Sequence, residues 1–156
     1  MNDVKIKTKT FVRAKVSGVA ESHSLTLIKA RDLVDVSDEP PERGGTNEGL
    51  APTELFLASL VACSNVISHK IAKKNSIQLN SLEISLDAGF NRLGVTLQEE
   101  VDLPFPDIKL RIEISTDATA EQLEILKRDL PRYCPVSKMI EQAGTKIDTE
   151  WVVNRP

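Results

Sequence analysis

The chain has 156 residues, 40% hydrophobic, 28% charged and only 4% aromatic. That balance excludes the disordered and fibrous classes and predicts one domain over residues 1–156 with an aliphatic core. A formal net charge of -3 denies the chain the basic surface on which phosphate binding is built, so no nucleic-acid partner is expected.

The opening MNDVKIKTKT holds no apolar run fit for a signal peptide, and no stretch reads as the roughly 20 apolar residues of a membrane span. A cytoplasmic location and no membrane partner are therefore expected. Residues 4–16 and 23–30 alternate apolar or β-branched residues with polar ones and predict a hairpin turning near Ser17-Gly18. Lys5, Lys7, Lys9, Arg13 and Lys15 would then share one strand face, where lysines discourage edge pairing.

Residues 31–50 carry Asp32, Asp35, Asp38, Pro40, Pro41 and Arg43-Gly44-Gly45, the composition of a loop, with room for a short strand at 33–36. Pro52 stands where a first helical residue is tolerated, and 53–74 runs on without Gly or Pro. The first half of this helix, with Leu55, Phe56, Leu57, Leu60 and Val61, is apolar nearly all round, as in a helix covered on most sides. Lys70, Lys73 and Lys74 mark its solvent end.

Residues 82–90 and 108–114 alternate as half-buried strands. Thr119 and Gln122 have the spacing of a capping box, with Leu123, Leu126 and Leu130 on one helix face and Pro131 ending or kinking it. A short helix is predicted from Pro135 to about Gln142, closed by Gly144, before a last strand at 147–153. Hairpin-like strand pairs and segregated helices indicate an α+β fold.

Two cysteines in a reducing compartment do not predict a permanent bridge, and no ligand cluster predicts a metal. Cys63 lies in the apolar half of the long helix, either a small buried hydrophobe or a reactive thiol. Cys134 precedes Pro135 and so takes the cap position of the next helix, either as a plain boundary residue or as a thiol whose ionised form the helix dipole favours. His23 and His69 read as surface residues.

The run from Gly44-Gly45-Thr46-Asn47 through Pro52-Thr53-Glu54-Leu55 to Cys63 resembles the signature of the osmotically induced protein C / organic hydroperoxide resistance (OsmC/Ohr) family. Tyr133-Cys134-Pro135-Val136 resembles that family's Cys-Pro-Val motif. The resemblance implies an OsmC-like fold, with β-sheets around a long buried central helix and two chains intertwined as a homodimer. It also implies a thiol peroxidase acting on organic hydroperoxides. Cys63 would be the thiolate that becomes a sulfenic acid, and Cys134 the thiol that captures it as a disulfide. An external dithiol, lipoyl groups among the candidates, would reduce the bridge, with no bound cofactor.

Arg43, ahead of Arg13 or Arg31, matches the family's thiolate-activating arginine, and the other reading is a solvated loop arginine. Glu54 is the acidic partner that the resemblance offers. In Ohr-like members, however, the acid directly follows the proline, and here Thr53 stands there. One helical step turns a side chain by about 100°, so Glu54 serves either the arginine or its own helix N-terminus. The alternative function is a non-catalytic or redox-sensing member binding a small apolar ligand at the dimer interface.

Overall fold

The structure, a computed structural model, describes residues 10–156. The chain divides into two compact units, one ending at Leu55 and one running from Phe56 to Pro156.

In the first unit, β1 (Val16–Ala20), β2 (Thr26–Ala30) and β3 (Leu33–Ser37) form an antiparallel meander. The expected hairpin is present but its turn is not at Ser17-Gly18, which lie inside β1. Register explains the shift: Val16 pairs with Ala30, where β2 ends, so residues 10–15 run past the end of β2. Residues 10–15 are accordingly outside any strand. Of the proposed basic face, Arg13 and Lys15 fall in this segment, and Lys5, Lys7 and Lys9 lie outside the described residues.

The true turn is built by side chains. Ser22 Oγ accepts from Leu25 N at 2.9 Å and Ser24 N at 3.2 Å, while Glu21 N donates to Leu25 O at 2.9 Å, the local chemistry by which serine competes for backbone groups. Between β2 and β3 the chain reverses at Arg31, whose φ of 60° is the left-handed conformation expected in a two-residue hairpin loop.

The helix α1 (Pro52–Lys74) starts at the expected proline. Leu60, Ser64, Ser68, Ile71 and Ala72 form its buried stripe, the i, i+4 spacing of one helix face. The rest of its apolar first half is only partly covered, and Phe56 and Val66 are exposed. The expectation that no segment matches a membrane span needs correcting, since α1 is long and apolar enough by length and composition. A core helix can be equally long and apolar, and Leu60 and Ile71 do pack into the core.

The second unit is organised on a sheet of β4 (Ser81–Ala88), β5 (Asp107–Ser115) and β6 (Lys146–Asn154) in the order β4-β5-β6. The central β5 buries Ile108, Leu110, Ile112 and Ile114 on one face, and they form the core with Leu60, Leu126, Leu130 and Ile140. Its other face carries Arg111, paired with Glu150 at 2.8 Å, and Glu113, bonded by Asn154 at 2.9 Å. β4 pairs antiparallel to β5, but β6 runs parallel to it. The α+β fold therefore contains one crossover, through α2 (Ala120–Tyr133) and α3 (Pro135–Gln142).

The capping box at the start of α2 is formed as expected. Thr119 Oγ1 accepts from Gln122 N at 3.3 Å and Gln122 Oε1 accepts from Thr119 N at 2.9 Å. Pro131 does not end the helix, which continues to Tyr133.

Candidate functional site

Two helix elements bring the cysteines together. Cys63 is half-buried on α1 beside the buried Ser64, and Cys134 is fully buried between α2 and α3. Cys134 serves both helices: its N–H donates to Leu130 O at 3.0 Å, closing α2, and its carbonyl accepts from Lys138 N at 3.0 Å, opening α3. Its extended ψ of 108° is the conformation that a following proline imposes. Both thiols are free, and their sulfurs are 3.0 Å apart, with Cys134 S–H donating to Cys63 Sγ.

The cap position predicts an easily ionised Cys134, and the thiol behaves oppositely. Burial, and then its hydrogen bond to Cys63, push the Cys134 thiol up to about 11. The Ser137 N–H, 3.4 Å from its sulfur, opposes this without overcoming it, because desolvation of a buried thiolate outweighs one long hydrogen bond. Cys134 is therefore a proton-bearing donor at neutral pH, and it aims that proton at Cys63.

A pH signature follows from the sign of this shift. Between the ordinary thiol value of 9.0 and about 11, the folded chain holds a proton that the unfolded chain releases. The stabilisation is whole below that window and is lost as pH rises through it. Urea unfolding of the reduced protein should show Cys134→Ala losing less stability than wild type across this range. Parallel declines would place the alkaline sensitivity elsewhere.

The other two sequence candidates belong to the first unit. Arg43, in a 3-10 turn over Pro41–Arg43, is an ion pair by distance with Glu39, Nε to Oε2 at 2.7 Å, though outside hydrogen-bond geometry. The i, i+4 spacing of Glu39 and Arg43 was the available signal for this partner. Glu54 Oε2 accepts from Ala51 N at 2.9 Å, so its carboxylate caps the N-terminus of its own helix in the way the third helical residue does in a capping box.

Asp38, whose type in sequence signals only a loop, organises the loop that carries Arg43. Its carboxylate accepts from the Thr46 hydroxyl at 2.7 Å and from the backbone N–H groups of Thr46 and Glu39 at 2.8 Å. The Thr46 hydroxyl foremost, then the Thr46 N–H, hold its carboxyl well below the usual carboxylate range. Gly45 is required there, since an added Cβ would sit 1.7 Å from Glu39 O.

Fold and site together define an α+β protein with an unbridged pair of cysteines in hydrogen-bond contact at a helix junction. The family model for OsmC-like protein matches residues 45–150, and the chain belongs to that family. Among solved structures, it is similar to an OsmC-like protein from Mycoplasma pneumoniae (TM-score 0.77, 16% identity, covering 92% of this chain and 98% of that one). An organic hydroperoxide resistance protein OsmC from Legionella pneumophila gives a TM-score of 0.66 at 19% identity, covering 94% and 99%. The organic hydroperoxide resistance protein OhrB of Bacillus subtilis gives 0.57 at 21% identity, covering 92% and 98%. No curated protein matches the chain.

Proposed function

We propose that this protein is a thiol peroxidase reducing organic hydroperoxides, with Cys63 as the attacking sulfur and Cys134 as the resolving one. The supporting observation is the 3.0 Å contact between the Cys134 and Cys63 sulfurs, because a second thiol at that distance can capture a sulfenic acid formed on the first without rearrangement of the chain. The Cys63 thiolate attacks the terminal peroxide oxygen. The O–O bond breaks, the alkoxide leaves as an alcohol after taking a proton, and Cys63 becomes a sulfenic acid. Cys134 then attacks the Cys63 sulfur, its proton departs with the sulfenic oxygen as water, and a disulfide remains. An external dithiol, a lipoyl group being one candidate, returns both thiols by exchange.

A hydrophobic substrate suits the neighbourhood. Phe56 lies two turns before Cys63 on the same side of α1, and its ring meets that of Phe105 at 5.3 Å, which in turn stacks on Phe90 at 4.8 Å. Such a cluster binds an alkyl or aryl tail and offers little to hydrogen peroxide. A homodimer in the cytoplasm belongs to the same proposal: the exposed Phe56 and Val66 leave apolar surface on α1 that a second copy would cover, giving a dimer mass in sedimentation.

Arg43 and Glu54 enter this proposal through the family resemblance, as the activating cation and its acidic partner. The test is alkylation at neutral pH. Iodoacetamide should label Cys63 in preference to Cys134, and Arg43→Ala should slow the labelling. Preferential labelling of Cys134, or two inert thiols, would favour the ligand-binding alternative, and an unchanged rate in Arg43→Ala would return the role to Arg13 or Arg31.

A further inference from the structure

Behind the cysteine pair lies a cavity of about 330 Å³ that the proposed peroxidase cycle does not use. Its apolar wall is Leu110, Leu130, Pro131, Ile147 and Trp151. Ser64 also lines it, fully buried, and its hydroxyl has no hydrogen-bond partner. Such a group is rare in a native core unless something absent from the protein itself satisfies it. One turn along the same stripe, Ser68 is also fully buried with an unpartnered hydroxyl.

The remaining polar lining is two hydroxyls and one paired cation. Ser137 and Thr149 add two more hydroxyl side chains, neutral groups that both donate and accept. The single cation, Lys127, is held by Glu124 at 3.1 Å, so the cavity presents no uncompensated charge. Its volume lies in the range of small-molecule sites and about twice that of an apolar cavity that admits benzene. From these features we infer that the cavity is a binding site for an uncharged amphiphile with one hydroxyl group and a compact aryl or branched alkyl body, the hydroxyl meeting Ser64. The site is separate in its lining from both sulfurs, though each flanks it: Ser64 follows Cys63, and the Ser137 N–H donates to Cys134.

Trp151 makes the site directly readable, because it is the chain's one tryptophan and lines the cavity. Benzyl alcohol, titrated into the reduced full-length protein, should change the tryptophan emission saturably. Benzoate and toluene, which match it in shape but add a charge or lack the hydroxyl, should bind more weakly. Ser64→Ala, a change that a helix tolerates well, should weaken benzyl alcohol by about 5- to 10-fold, the worth of one hydrogen bond, without weakening toluene. In wild type, benzyl alcohol should shift the amide resonances of Ser64 and Ser137 and the indole N–H of Trp151. The inference is overturned by an emission change that does not saturate, as when water alone fills the cavity. Benzoate binding as tightly as benzyl alcohol, equal affinity in Ser64→Ala, or resonance shifts confined to other residues would each overturn it as well.

Discussion

Cys134→Ser, treated with one equivalent of cumene hydroperoxide, should accumulate sulfenic and then sulfinic acid at Cys63, whereas wild type should form a Cys63 to Cys134 bridge. The expected contrast is nearly complete, because the two sulfurs already stand 3.0 Å apart. The geometry of a disulfide, with sulfurs about 2.05 Å apart, is reached by closing that gap, without two distant elements having to find each other. The suppressed ionisation of Cys134 argues for the same order of events. A buried thiol that keeps its proton is a poor first nucleophile, while the proton it carries is the one that the departing sulfenic oxygen needs. Peptide mapping by mass spectrometry distinguishes the two products, and dithiothreitol should remove the wild-type bridge. Oxidation of Cys134 with Cys63 spared would reverse the assignment.

Ile112→Ala should be the more damaging kind of change for the fold. Ile112 is fully buried in the middle of the central strand, between β4 and β6, so truncation leaves a cavity that three strands and the helices above cannot easily collapse. Such substitutions cost about 2–5 kcal/mol, a large share of the roughly 5–15 kcal/mol that holds a domain folded. Leu97, in the loop before β5, is 93% exposed, and Leu97→Ala should fall within about 0.5 kcal/mol of wild type. Urea unfolding of the two variants should give a midpoint far below wild type for the first and one near it for the second. Equal midpoints would mean that the β5 face is not the core.

Local chemistry was legible and tertiary consequences were not. Pro52, Thr119 with Gln122, and Pro135 each announce a helix start through groups within one turn of chain, so sequence alone places them. Gly18 misled because glycine suits a turn and also suits a strand: its Cβ would come 3.1 Å from Thr26 Cγ2 across the ladder, a contact fixed by register. The parallel pairing of β6 depends on where α2 and α3 carry the chain, which alternation of apolar residues cannot reveal.

The same division runs through the site. Two motifs, around Cys63 and around Cys134, were enough to pair the cysteines through family resemblance, and the structure brings the two sulfurs into contact. The ionisation of Cys134 was misjudged because a cap position is read from neighbours in sequence, whereas burial is set by residues far away along the chain. The contact of Glu54 with Ala51 N lies within one turn of chain, where the spacing of a third helical residue makes it legible. The unpartnered hydroxyls of Ser64 and Ser68 left no trace in a sequence where serine on a helix is ordinarily solvated.

The central claim is tested most directly by following the consumption of cumene hydroperoxide and of hydrogen peroxide, with a dithiol such as dihydrolipoamide in excess, for wild type and Cys63→Ser. Wild type should turn over cumene hydroperoxide repeatedly and much faster than hydrogen peroxide, and Cys63→Ser should fall to the rate of the dithiol alone. Undiminished turnover in Cys63→Ser, or a wild-type rate no greater than that of the dithiol alone, would contradict the account.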